Sequence, residues 1–235
     1  MTEFYKSTAT YILLIYYLYA SECATISNLA PMKFSSRILA DAVDTFSRLP
    51  GIGKKTALRT ILYLAQKDTV LTNDIINALQ SLVDNLKTCS RCHNIADAEL
   101  CDICSDKSRN TSVLCVVSSV RDVMAIEETN HYRGMYHVLG GVISPIDGIG
   151  PDQLNIDSLL VRISDEEINE VIMAINPTIE GETTIYYLSK KLQDSHVEVT
   201  ILARGIAFGG ELEYADELTL GRSILTRTSY KLSQD

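Results

Sequence analysis

The sequence has 235 residues, of which 46% are hydrophobic and 22% charged, so it has room for one large globular domain or two small ones. Its formal net charge of −9 excludes a protein that coats nucleic acid through bulk charge alone. The charge is uneven, because residues 34–67 hold six basic and two acidic side chains, whereas residues 111–235 hold nine basic and nineteen acidic ones. This asymmetry allows a basic binding end on an otherwise acidic protein.

Residues 1–31 fit poorly with the remainder of the chain. Residues 11–20 form an apolar run of ten, which is too short to cross a bilayer as a helix. With Lys6 before it, this run resembles the core of a signal peptide. A secreted protein, however, would expose the cysteines described below to an oxidising compartment. Since Met32 opens directly onto a helical pattern, we expect translation to begin there and residues 1–31 to be an extension outside the native protein.

Residues 32–88 show the periodicity of a small helical module. Apolar residues recur at intervals of three and four, which predicts three helices with one buried face each. Ser35 or Ser36 can cap the first helix, and the third is expected to begin near Thr72. The predicted inward positions are Ile38, Leu39, Ala42, Val43 and Phe46, then Ala57, Leu58, Ile61, Leu62 and Ala65, then Ile75, Ile76, Leu79, Leu82, Val83 and Leu86.

The turn between the first two helices has the sequence LPGIGKK. Gly51 and Gly53 lack Cβ atoms where the backbone opens a helix, so amide N–H groups there can approach a phosphate oxygen closely. Lys54 follows directly, and Lys55 and Arg59 are four apart and therefore lie on one helical face. This pattern indicates a helix-hairpin-helix that contacts the DNA backbone without reading its sequence. The alternative is a tight turn whose lysines only solvate the surface.

Four of the six cysteines lie within residues 89–104, as two Cys-x-x-Cys pairs separated by eight residues. Two such turns can direct Cys89, Cys92, Cys101 and Cys104 at one tetrahedral ion, and four thiolates leave no open position on Zn²⁺. We therefore predict a structural zinc site. Two disulfides or two redox pairs are the alternatives, but the rest of the chain is not rich in cysteine. Because thiolate zinc sites are stable in reducing compartments, we expect a cytoplasmic protein.

Beyond residue 110 the pattern changes to short apolar runs that alternate with helical segments. This alternation predicts a mostly parallel α/β sheet covered on both faces, with functional loops at the carboxyl ends of its strands. The expected strands are 113–117, 136–139, 142–143, 171–175 and 197–202, and the expected helices are 119–128, 159–168 and a segment from 178 to about 193.

The order of these parts resembles the RecR family of bacterial recombination mediator proteins. Besides residues 49–59 and the four cysteines, the resemblance rests on SPIDGIGP at 144–151, NPTIEGE at 176–182, GGELE at 209–213 and TLGR at 219–222. It covers residues 32 to about 232. It implies a helix-hairpin-helix module at 32–88, a four-cysteine zinc finger at 89–104, a Toprim-like α/β domain at 111–207 and an extended C-terminal tail at 208–235.

Catalytic Toprim domains carry a glutamate after the first strand and an Asp-x-Asp after a later one, and these acids hold Mg²⁺. Here Ser118 occupies the first position, and Asn176 and Thr178 occupy the later pair. The Asn-Pro-Thr form is usual in the resembled family, whereas Ser118 departs from the glutamate that the family commonly keeps. Glu180 and Glu182 fit simple placement at a helix N-terminus. We therefore expect no catalytic residue; the alternative is a metal-dependent Toprim nuclease or primase.

The resemblance also implies a biological role. It implies a non-enzymatic DNA-binding adaptor in recombinational DNA repair, which binds single- and double-stranded DNA, acts with RecO and RecF, and helps to load RecA on single-stranded DNA. It further implies a homo-oligomer in the form of a ring or clamp, with no membrane association. An acidic surface in the tail, at Glu211, Glu213, Asp216 and Glu217, is suited to a protein partner. A third interpretation is a zinc-dependent interaction module that never touches DNA.

Overall fold

The structure is a computed structural model that describes residues 35–66, 69–206 and 209–229. The expectation about residues 1–31 and a start at Met32 lies outside the described residues. The chain divides after Leu79 into two compact units. Among the described helices, none is long and apolar enough to cross a membrane.

The first unit holds helices α1 (Arg37–Phe46), α2 (Lys54–Gln66) and most of α3 (Thr69–Asn85). The Ser36 hydroxyl accepts a hydrogen bond from the Leu39 N–H at 3.3 Å and so caps α1, as the sequence predicts. Helices α1 and α2 pack on each other and bury Val43 and Ala57 completely. The prediction of three helices is confirmed, with α3 beginning at Thr69 rather than near Thr72.

The predicted inward face of α3 is wrong. This helix has no buried residue, and the side chains of Leu79 and Val83 are 57% and 74% exposed. Ile38 of α1, also predicted to be buried, is 84% exposed. Helical periodicity records that one face is apolar, but it does not say what covers that face. Within this chain the apolar side of α3 is therefore largely open.

The second unit begins with the zinc-finger segment. Its strands β1 (Lys87–Thr88) and β2 (Ile95–Ala96) pair antiparallel, and a one-turn helix α4 (Asp102–Ser105) follows.

The remaining chain forms the predicted α/β layer around a four-stranded parallel sheet, with strand order β4-β3-β5-β6. Its elements are β3 (Asn110–Val117), α5 (Val120–Glu128), β4 (Gly134–Val138), a 3-10 turn (Pro151–Gln153), α6 (Ile156–Asp165), β5 (Glu170–Ala174), α7 (Ile179–Lys191), β6 (Glu198–Ile201), a second 3-10 turn (Leu212–Tyr214) and α8 (Glu217–Leu225).

Alternation along the central strand β3 builds two apolar layers. Leu114 and Val116 point to one face and join a cluster that includes the four cysteines of the finger. Cys115 and Val117 point to the other face and pack with Val123 of α5. Since all four strand residues are at most 2% exposed, both faces are covered, as a parallel sheet requires.

Two predicted elements differ from the structure. The helix expected at 159–168 is Ile156–Asp165, because Glu166 turns to an extended backbone with φ of −108° and ψ of 150°. The strand expected at 142–143 is absent from the described residues. There the Ile143 N–H donates to the Thr184 hydroxyl at 2.8 Å, so this backbone is bound to α7 rather than to a neighbouring strand.

Candidate zinc centre and nucleic-acid interface

The four cysteines predicted to bind metal meet at one point. The Sγ atoms of Cys89, Cys92, Cys101 and Cys104 all lie within 4.8 Å of one another, and all four residues are buried. The Sγ atoms of Cys92 and Cys101 are 3.5 Å apart. Four sulfur donors at this separation form the closed tetrahedral set that suits Zn²⁺ and leaves no position for a reacting water.

Two tight turns create this convergence. After β1, the Cys89 N–H donates to the Asn94 carbonyl at 2.7 Å, and the His93 N–H donates to the Cys89 carbonyl at 3.0 Å. His93 has φ of 61°, which lets the chain reverse directly after Cys92. The second pair lies around α4, where Cys101 is the N-cap residue and its carbonyl accepts from the Ser105 N–H at 3.0 Å.

The thiols differ in acidity. Burial opposes ionisation of Cys89, but backbone N–H groups of Cys101, Cys92 and Arg91 lower its pKa to about 7. Burial raises the pKa of Cys101 to about 11, and a hydrogen bond with the Cys104 thiol, together with burial, raises the pKa of Cys92. A divalent cation must displace these protons, so the affinity for metal rises with pH.

An ionic triad fastens the finger to the α/β layer. Arg91 donates from Nε and Nη2 to the two carboxylate oxygens of Glu166, both at 2.9 Å. Arg162 donates from Nε to Glu166 Oε1 at 3.1 Å and from Nη1 to the Tyr136 carbonyl at 2.7 Å. Burial alone would raise the pKa of Glu166, but the two guanidinium groups hold it below its usual value. Sequence reasoning missed this triad, since Arg91 and Glu166 are 75 positions apart.

Two histidines beside the finger have structural roles. His93 Nε2 lies 2.8 Å from the Ser158 hydroxyl, and His137 Nε2 lies 2.8 Å from the Asn155 carbonyl. Burial lowers the pKa of His137 to about 4, so its ring is neutral at physiological pH. Neither ring therefore supplies a charged group to a reaction.

The three Toprim metal positions carry neutral side chains, and two of those side chains form local hydrogen bonds. The Ser118 hydroxyl donates to Asp122 Oδ2 at 2.6 Å, next to the capping box that begins α5. The Thr178 hydroxyl accepts from the Gly181 N–H at 3.1 Å and caps α7. Over the described ranges, the cysteine cluster is the one group of three or more Cys, His, Asp or Glu side chains close enough to hold a metal. The structure therefore gathers no carboxylate cluster at this end of the sheet.

In the first unit, the predicted DNA-contacting turn opens α2. Gly51 has φ of 77°, a conformation that favours glycine. Gly53 has an ordinary φ, and a Cβ added there would meet no atom within 4 Å, so nothing within the described chain requires glycine at this position. The Gly53 carbonyl accepts from the Ala57 N–H at 2.9 Å, and the first N–H groups of α2 have no acceptor in their own helix.

The three basic residues beside this turn have different surroundings. Lys54 Nζ lies 3.5 Å from an Asp44 carboxylate oxygen, with both side chains more than half exposed, and such a pair is worth less than about 1 kcal/mol. Lys55 and Arg59 are exposed and have no ion-pair or hydrogen-bond partner among the described side chains. Their positive charges are therefore open to an external ligand.

The fold and the two sites define a protein with a helical module, a four-cysteine finger and a Toprim-like domain that lacks the metal-binding acids. Family models match each part: RecR helix-hairpin-helix at residues 39–83, the RecR four-cysteine zinc finger domain at 86–106, Toprim domain at 112–203 and RecR C-terminal at 205–228. The chain belongs to the RecR family, which confirms the resemblance seen in its sequence, and the cofactor of its four-cysteine cluster is Zn²⁺.

Several relatives carry the name Recombination protein RecR. The Porphyromonas gingivalis protein is 55% identical over 198 residues, which cover 84% of this chain and 96% of the relative. The Cytophaga hutchinsonii protein is 53% identical over 205 residues, or 87% of this chain and 100% of the relative. The Flavobacterium psychrophilum protein is 50% identical over 202 residues, or 86% and 98%.

Proposed function

We propose that this protein is a non-enzymatic, DNA-binding adaptor of recombinational DNA repair, which acts in the cytoplasm with RecO and RecF to help load RecA on single-stranded DNA. Membership of the RecR family supports the recombination role, since the relatives are named for it. The observation that carries the DNA-binding part is the open N-terminus of α2 beside the unpaired Lys55 and Arg59.

The contact with DNA is to phosphate. Backbone N–H groups at Gly51, Gly53 and the first turn of α2 are available, and the positive end of the helix favours an anion. Lys55 and Arg59 add two charges on the same helical face. Because none of these groups reads a base edge, binding is independent of sequence and applies to single- and double-stranded DNA alike.

The adaptor role follows from the side chains at the carboxyl ends of the strands. Ser118 and Thr178 supply neutral oxygens that already serve helix capping, and Asn176 offers only an amide. Phosphodiester cleavage through Mg²⁺ needs carboxylates that hold the ion. Without them, the Toprim-like domain of this chain is a binding platform.

A ring or clamp of several copies would strengthen the contact. One hairpin makes few phosphate contacts and so binds weakly, and linked copies raise the effective affinity. The open apolar side of α3, with Leu79 and Val83, supports association of copies. Native mass spectrometry with and without DNA tests this part of the proposal, and a monomer under both conditions would contradict it.

The decisive experiment on DNA contact is a salt titration of the full-length Lys55→Ala, Arg59→Ala double variant. Binding to a fluorescent oligo-dT strand is measured by anisotropy over a range of salt concentrations. The slope of log K against log salt is expected to fall by about two, since each lost phosphate contact removes about one. Both side chains are exposed, so the fold should be unaffected.

The matched control is the Arg121→Ala, Lys190→Ala variant, which removes two exposed charges from α5 and α7. A slope equal in both variants would refute the assignment and would favour a zinc-dependent interaction module that does not touch DNA. Mg²⁺-dependent nicking of plasmid by the pure protein, abolished by substitution of Glu180 or Glu182, would instead establish a Toprim nuclease.

A further inference from the structure

A cleft of about 600 Å³ opens at the carboxyl ends of β5 and β6. Its walls come from the segment after β5 that includes Asn176, from the segment after β6 that includes Arg204, and from α8 with Arg222. This volume is typical of small-ligand sites, and the carboxyl edge of a parallel sheet is where α/β proteins bind ligands. The cleft belongs entirely to the second unit and does not involve the hairpin of the first.

The charges in this cleft do not cancel locally. Glu182 forms an ion pair with Arg204. Asp216, the second acid of the cleft, caps α8 by accepting the Thr219 N–H at 2.9 Å. The guanidinium of Arg222 has no ion-pair or hydrogen-bond partner among the described residues. One planar, permanently charged donor group therefore faces the cleft without a counter-ion.

We propose that this cleft binds a phosphate group, either of a nucleoside phosphate or of a single-stranded DNA backbone, through Arg222 and Arg204. A guanidinium presents parallel N–H donors that match two phosphate oxygens, and it does so without a metal. In a catalytic Toprim domain a metal held by carboxylates would neutralise phosphate at this end of the sheet. In this chain the carboxylates are replaced and two arginines supply the positive charge.

Glu182 is the built-in competitor for the phosphate. Its carboxylate holds Arg204, so an incoming phosphate must share or displace it. Removal of this carboxylate therefore frees Arg204 for the ligand, whereas removal of either arginine takes donors away. The proposal thus demands opposite effects from substitutions at two residues that contact each other, and a purely structural ion pair would not produce them.

The test uses the full-length protein with Lys55→Ala and Arg59→Ala already in place, so that the hairpin contributes little to binding. Affinity for dTTP without added Mg²⁺ and for a short oligo-dT strand is measured by calorimetry and anisotropy. Arg222→Gln is expected to weaken binding roughly tenfold or more, which is the loss of a charge-assisted hydrogen bond. Arg204→Gln should also weaken it, and Glu182→Gln should strengthen it.

The control is Arg227→Gln, which makes the same charge change just beyond α8; its side chain donates to the Ile224 carbonyl at 3.1 Å and lies outside this cleft. Weakening of both probes by Arg222→Gln identifies a general phosphate site, and weakening of the strand alone identifies a DNA site. Equal affinities of the Arg222→Gln, Arg204→Gln and Arg227→Gln proteins overturn the proposal, as does a loss in Glu182→Gln equal to that in Arg204→Gln. The parent variant lacks the hairpin charges, so this result is independent of the hairpin assignment.

Discussion

Replacing Glu166 with glutamine tests how the finger is fastened to the α/β layer. Glu166 accepts three charge-assisted hydrogen bonds, two from Arg91 and one from Arg162. Glutamine preserves the shape of the side chain and one acceptor oxygen, but it removes the negative charge between two guanidinium groups. Arg162, whose side chain is only 5% exposed, would then be buried without its counter-ion.

The expected loss of stability lies between two limits. Breaking a fully buried ion pair costs about 3–5 kcal/mol, whereas an exposed pair is worth less than about 1 kcal/mol. The side chains of Arg91 and Glu166 are 30% and 22% exposed, so solvent screens one bridge more than the other. We therefore expect a decrease of about 2–3 kcal/mol in the free energy of unfolding of the second unit.

The assay is equilibrium unfolding in urea, followed by circular dichroism and by release of zinc to a chromogenic chelator. With a slope of about 2 kcal/mol per molar urea, the midpoint should fall by about 1 M or slightly more. The zinc signal should move with the circular dichroism signal, because the finger loses its anchor when the α/β layer opens. The matched control is Glu167→Gln, which makes the same charge change at the next residue, where the side chain is exposed.

Equal midpoints for the Glu166→Gln and Glu167→Gln proteins would refute this reasoning. They would mean that the buried cysteines and the Val138 N–H, which donates to the Cys92 carbonyl at 2.8 Å, are enough to hold the finger in place.

Three further predictions concern stability. Chelation of zinc should lower the melting temperature markedly, because metal binding to a buried thiolate cluster contributes directly to folding; an unchanged melt would exclude a structural role. Gly181→Ala should destabilise by about 1–3 kcal/mol, since its Cβ would collide with the Asn176 carbonyl, whereas Gly221→Ala in α8, where a Cβ meets nothing, should stabilise by up to about 1 kcal/mol; thermal melts that rank the two variants the other way would contradict this. Glu127 accepts from Arg109 at 2.9 Å, and this bond lowers the pKa of Glu127 below 4.5; the stability gap between the wild type and Glu127→Gln should therefore be full above pH 4.5 and close as the pH falls further, and a gap constant down to pH 3 would refute it.

Local chemistry made much of this protein predictable. The cysteine spacing predicted the metal cluster, because the two short turns that it encodes are complete within a few residues. Short apolar runs predicted the parallel sheet, since a strand buried on both faces has no polar alternation to interrupt it. The caps at Ser36 and Thr178 likewise depend only on neighbouring residues.

What the sequence did not predict depends on distant parts of the chain. The open side of α3 could not be foreseen, because an apolar stripe does not reveal whether another element covers it. The pairing of Glu166 with Arg91 joins positions that only the fold brings together. The segment at 142–143 has the composition of a strand, but Thr184 accepts the hydrogen bond from Ile143 that a strand neighbour would otherwise take. The DNA contacts at Lys55 and Arg59 stay predictions.

The hydrogen bond from Ser118 to Asp122 bears on the evolutionary reversibility of this domain. A glutamate at position 118 would replace a donor with a second carboxylate beside Asp122, and like charges at that distance repel each other. The capping box of α5 would lose stability before any metal affinity appeared, since Asn176 and Thr178 would still be neutral. A return to a catalytic domain would therefore have to pass through a less stable intermediate, which makes the loss of the metal acids a ratchet rather than a single reversible step.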